Sequence, residues 1–164
     1  MIKNSLIIIL LFFSCHAFTQ NITGRWIGRC YFPKIKGDTS LVFLNIQHDT
    51  TTNRITGTSV CFAGDYYGKS NFQGIYNTEE NKYILEETEI IATTYPDKNM
   101  ILLDTYLLAL GKTQETLSLS GTVKCTDSEY SHDKTSSVCD RKRTILLFQS
   151  TAKIPVMPNK KRHS

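Results

Sequence analysis

The sequence predicts an all-β fold, an antiparallel eight-stranded up-and-down barrel, on three observations. Short runs alternating apolar and polar residues, rich in β-branched and aromatic side chains, recur along the chain. Clusters of Gly, Asn, Asp and Pro punctuate them at regular spacing. No stretch of about a dozen residues holds a helical period with caps. Eight antiparallel strands remove their own edges by closing into a barrel.

The eight strands are placed at 24–32, 40–47, 54–62, 67–76, 82–91, 99–110, 115–124 and 142–151. Alternation is cleanest in the seventh, with Leu117, Leu119 and Val123 on one face and Ser118, Ser120 and Thr122 on the other. The first sets Trp26, Cys30 and Phe32 against Arg25, Arg29 and Tyr31. The sixth is apolar on all sides and is read as a strand because its neighbours are. In the second and sixth, the pattern leaves open which parity faces inward. Hairpin bends fall at Gly37-Asp38, at 48–53, at Gly64-Asp65, at 77–81, at Pro96-Asp97 and at Gly111.

Length and composition bound the rest. The chain has 164 residues, 40% hydrophobic and 21% charged, which fits one domain with a core of its own. A net charge of +4 is too small to imply a polyanion, so no nucleic-acid partner is expected. Residues 1–19 read as a secretory signal: Lys3 precedes an apolar run, 6–13, that is too short to span a bilayer, so no transmembrane segment is expected. Cleavage fits after Ala17 or Thr19; the competing reading is a lipid anchor at Cys15. Residues 20–153 form the barrel domain, and 154–164 a flexible basic tail. A secreted, periplasmic or cell-envelope location follows.

Without Cys15, four cysteines remain, an even number in an exported chain. Cys30 and Cys61 fall near the ends of strands pointing the same way, and Cys125 and Cys139 flank the longest connection. Pairing Cys30 with Cys61 and Cys125 with Cys139 is therefore preferred. No ligand spacing for zinc is present, and neither metal nor cofactor is expected.

The segment 21–26, Asn-Ile-Thr-Gly-Arg-Trp, carries the Gly-x-Trp signature and resembles the calycins, the lipocalin and avidin group of barrels. Ile55-Thr56-Gly57-Thr58 resembles the matching avidin strand. Gly57-Thr58-Ser59, Asp65-Tyr66-Tyr67-Gly68, Glu86-Glu87 and Leu119-Ser120-Gly121, with Cys139 beyond, are similar to segments of small secreted lipocalin-like proteins of Bacteroidetes-type bacteria. The resemblance implies a calycin-like barrel with Trp26 plugging its closed end beneath an arginine, for which Arg141 and Arg143 are the candidates. Two features depart from those families. No helix is expected after the last strand, and a single Trp argues against a biotin site.

The candidate ligand-binding residues are Trp26, Phe43, Leu85, Glu87, Leu102, Tyr106, Leu117 and Leu119. Glu86 and Glu87 face oppositely, so one carboxylate points inward and needs a partner or a raised pKa. Tyr66, Tyr67, Tyr76 and Tyr83 suit a cup rim. His48-Asp49 and His132-Asp133 fall in expected turns and read as solvated. No nucleophile elbow, phosphate loop or metal-binding helix motif appears, so no catalytic residue is assigned and an enzyme is not expected. The expected function is capture of a small, largely apolar molecule in the barrel. The alternative is a solid-cored envelope or interaction module, inhibitor-like, meeting a protein partner through the 126–138 loop and barrel rim.

Overall fold

The computed structural model describes residues 20–31, 39–94, 103–112, 116–125 and 143–151. Eight strands follow one another: β1 (Gly24–Tyr31), β2 (Thr39–Asp49), β3 (Arg54–Ala63), β4 (Tyr66–Asn77), β5 (Lys82–Thr93), β6 (Asp104–Lys112), β7 (Leu117–Cys125) and β8 (Arg143–Ser150). Each pairs antiparallel with its sequence neighbour, and β1 pairs with β8, closing the barrel. The described residues contain no helix. The expectations for 1–19, 154–164, Leu102, Cys139, Arg141 and the 126–138 loop lie outside the described residues.

The turns follow side-chain chemistry. After β2, Asp49 Oδ1 accepts the backbone N–H groups of Thr51 and Thr52, at 2.9 and 3.3 Å. After β4, Asn77 does the same for Glu79 and Glu80, at 3.0 and 3.2 Å. These short polar side chains replace backbone partners and tighten the bend. Asn53 and Asn81 then take positive φ, of 56° and 53°, which asparagine tolerates.

Period two sends alternate residues inward. Trp26, Leu44, Ile46, Ile55, Phe72, Tyr83, Leu85, Leu108, Leu119 and Leu147 make the core inside the wall. Strong curvature requires glycine where strands press together. A Cβ on Gly28 would lie 1.8 Å from the Leu146 carbonyl oxygen, and one on Gly121 would lie 1.9 Å from that of Leu107. Both obstacles are backbone, so no side chain can yield. Gly121→Val should therefore cost at least about 2–3 kcal/mol, read as an earlier urea midpoint.

Two regions depart from the sequence expectation. Strand β2 ends at Asp49, so His48 is not a turn residue but is buried, its ring edge-on to Tyr83 at 5.9 Å. The sixth strand starts at Asp104 rather than 99, and residues 95–102 are not described. The β5–β6 ladder holds only four residue pairs, Tyr83 to Glu86 against Leu108 to Thr105. Where it stops, β4 and β5 shift register at Lys69/Ser70 and Asn71/Phe72. Such irregularities bend a strand and re-aim its side chains.

Candidate functional site

The two ends of the barrel differ in kind. At one end Trp26 is buried and its Nε1–H donates to the Ile22 carbonyl at 2.9 Å. Ile22 is itself fully buried, and the Tyr83 hydroxyl donates to the Gln20 carbonyl at 2.7 Å. The Thr23 hydroxyl meets the His48 backbone, accepting its N–H at 2.9 Å. Residues 20–23 thus cross beneath the strands and close this end. Tyr83 stacks tilted against Tyr76 at 4.8 Å, adding to the plug.

Toward the opposite end the inward positions become small and polar. Cys30, Ser40, Ser59 and Ser70 are buried there. Cys61, Ala63, Gly68 and Cys125 share the inward parity yet keep partial exposure. Among the described residues this end is lined by small and polar inward side chains.

Below it sits a buried ionic network. Glu87 Oε1 accepts from the Ser59 hydroxyl and from Tyr106 Oη at 3.0 Å. Its Oε2 accepts the Asp104 backbone N–H at 3.0 Å. That N–H has no β5 ladder partner, because the β5–β6 pairing has already ended. The carboxylate therefore seals the wall where the ladder parts. Asp104 Oδ1 accepts from Arg143 Nη2 in an ion pair whose side chains are 12% and 13% exposed.

The electrostatics follow from that burial. Desolvation, reinforced by the Asp104 charge, raises the Glu87 pKa to about 7 against three opposing hydrogen bonds. Burial also raises Asp104, but Arg143 opposes the shift. Asp104 is thus the ionised partner of Arg143, and Glu87 carries the proton in acid. Burial raises the thiol of Cys30 to about 11 and that of Cys61 to about 12, leaving both poor nucleophiles.

A raised carboxyl pKa sets the sign of a pH effect. The folded chain holds the Glu87 proton longer than the unfolded chain does. The stabilisation from this group is complete below about pH 4.5 and is lost as pH rises to about 7. Relative to Glu87→Gln, the wild type should lose on the order of 2–3 kcal/mol across that window. Denaturant titrations of both proteins at several pH values check this. Taking the difference cancels His48, whose lowered pKa acts in the opposite sense.

Trp26, Leu85, Glu87, Tyr106 and Leu119 are buried inside, and Leu117 packs half-buried against them. Phe43 is a correction: Val42 and Leu44 take the inward parity, so Phe43 faces outward against Phe62, ring centroids 5.7 Å apart. The cup rim of tyrosines does not form either. Tyr76 and Tyr83 belong to the closed end, and Tyr66 and Tyr67 to the other.

The disulfide expectation also changes. No bridge joins Cys30, Cys61 and Cys125. Cys30 faces Ser40 and Cys61 faces Val42, so all of β2 lies between them. Two inter-strand steps span about 9–10 Å, beyond the roughly 4.4–6.8 Å between Cα atoms that a disulfide bridges. Of the two arginines expected over Trp26, Arg143 is likewise elsewhere. Trp26 pairs with Gln149, whereas Arg143 lies toward the opposite end of β8 and binds Asp104.

Asp104 is the functional candidate that sequence reasoning missed. An acid alone in the apolar run 100–110, two residues before Tyr106, was the available signal. A separate recess of about 440 Å³ lies at the closed end beside Thr23, Gln47, Thr52, Arg54 and Thr56. It is open, and its neighbour Asp49 is already held by Thr51 and Thr52.

The architecture defines a class: a closed eight-stranded antiparallel up-and-down barrel, compatible with a calycin-like fold. Compared with known proteins, the chain matches no family model, no curated protein and no solved structure. No described helix is long and apolar enough to cross a membrane.

Proposed function

We propose that this is an exported, non-enzymatic protein that captures a small molecule with an apolar body in the barrel end opposite Trp26. The observation that supports this most is the taper of the interior. Large apolar side chains fill the Trp26 half, whereas Ser40, Ser59, Ser70 and Cys30 line the other above the Glu87–Asp104–Arg143 network. A core built for stability alone gains little from buried ions, since desolvation offsets their attraction. Polar groups at the base of a small-residue chamber suit orientation of a ligand whose apolar part is buried against Val42, Val123 and Tyr106. Burial there supplies affinity at about 25 cal/mol per Å² of apolar surface.

The same groups are poorly set for turnover. Glu87 is engaged by three donors, Asp104 by Arg143, and the thiols of Cys30 and Cys61 are held protonated.

Native mass spectrometry of the protein purified from its own source tests the reading. A retained small molecule should appear as added mass, and Ser70→Leu, which fills the chamber, should remove it. A bare protein mass, together with a chamber found filled by side chains, would instead favour the solid-cored interaction module.

A further inference from the structure

The ionic network inside the barrel has two acids to one base. Glu87 and Asp104 are both buried, and the cation beside them, Arg143, is engaged by Asp104. Among the described residues the other inward side chains at this level carry no charge. They are Cys30 on β1, Val42 on β2, Ser59 and Cys61 on β3, Ser70 and Phe72 on β4, Tyr106 on β6, and Val123 and Cys125 on β7. Burial keeps the Cys30 and Cys61 thiols and the Tyr106 phenol protonated. An ionised Glu87 therefore leaves one negative charge uncompensated, which is costly away from water.

Hydrogen bonding is incomplete at the same place. A carboxylate offers about four acceptor positions. Glu87 Oε1 takes two donors, the Ser59 and Tyr106 hydroxyls, whereas Oε2 takes the Asp104 N–H alone. Ser70 faces Ser59 across the β3–β4 ladder. It is 5% exposed, and its hydroxyl has no hydrogen-bond partner among the described residues. A positively charged donor would answer the charge, the spare acceptor position and the unpartnered hydroxyl together.

Building on the capture role above, on which this rests, we propose that the captured molecule is an amphiphilic amine. Its ammonium group meets Glu87 Oε2 and the Ser70 hydroxyl, and its apolar body lies against Val42, Val123 and Tyr106. An alcohol could fill the acceptor position but would leave the charge unbalanced. A carboxylate ligand would add a second negative charge to a site already in excess. In acid a proton on Glu87 balances the same charge, so proton and ammonium compete.

Isothermal titration with hexylamine, hexanol and hexanoate tests the assignment. At pH 8 the amine should bind at least about tenfold more tightly than the alcohol, the margin of a charge-assisted hydrogen bond. Its affinity should fall about tenfold between pH 8 and pH 6, as the ionised share of Glu87, whose pKa is about 7, drops to roughly a tenth. Buffers of different ionisation enthalpy should report proton release on binding at pH 6. Glu87→Gln, with its fold verified by circular dichroism, should lose both the preference for the amine and the pH dependence. The wild-type pH profile is an independent readout that needs no variant. Alcohol or carboxylate binding as tightly as the amine overturns the amine assignment and leaves capture standing. Amine binding unchanged between the two pH values overturns it as well. So does the failure of all three probes to bind, in which case native mass spectrometry decides capture on its own.

Discussion

Arg143→Ala is expected to destabilise the barrel by about 3–5 kcal/mol, the cost of leaving a buried carboxylate without its cation. Asp104 and Arg143 form their ion pair with little solvent contact, and the Asp104 backbone is also tied to Glu87. Once the guanidinium is gone, Asp104 must take up a proton or hold its charge beside Glu87. Both outcomes raise the pKa of the pair, so the loss should be larger at pH 8 than at pH 5, conditions chosen to bracket about 7 for Glu87. Urea unfolding at the two pH values gives the result. Arg143→Met with Asp104→Leu should recover much of the stability, because the charges are removed together. If Arg143→Ala were neutral, the pair would be surface-like and the buried network would not exist as described.

Trp26→Ala should cost a similar 3–5 kcal/mol. The indole is the largest fully buried side chain, and its N–H holds the Ile22 carbonyl. Truncation opens a void at the closed end and frees residues 20–23, which Tyr83 and Thr23 alone would then hold. The thermal midpoint should fall by about 10 °C or more for a domain of this size. The Ile22 amide should exchange faster than amides in the β2–β3 ladder. Trp26→Phe keeps most of the volume and should cost less, which separates packing from the lost hydrogen bond.

The sequence was most informative where alternation is strict. In β7, Leu119 and Val123 are buried and Ser120 is exposed, as period two requires. Glu86 and Glu87 could be told apart only in part: one had to face inward, and the register makes it Glu87. Alternation failed in β2, where Leu41 to Leu44 are all apolar because both faces are covered; hence the wrong reading of Phe43. Strand ends were legible to within two residues where Asn or Asp turns fix them. The start of β6 was not, because 99–103 are as apolar as the strand itself.

The polar network needed three dimensions. Ser59, Glu87, Asp104, Tyr106 and Arg143 come from four separate strands, and no spacing along the chain announces their meeting. Arg143 was one of two arginines, with Arg141, offered by likeness as the partner of Trp26. Antiparallel pairing of β8 with β1 carries its start away from Trp26, so strand direction alone forbids the contact. Cysteines at the same end of the sheet suggested a bridge, but Cys30 and Cys61 are separated by a whole strand.

Every site described here depends on the wall closing between the first and last strands. Nuclear Overhauser contacts between their backbone protons test that most directly. Alternate facing pairs, such as Gly28 with Leu147 or Ile27 with Phe148, should give strong Hα–Hα cross-peaks, with slow amide exchange along both strands. Absent cross-peaks, with β8 amides exchanging as freely as an open edge, would mean an unclosed sheet and no barrel interior around Glu87.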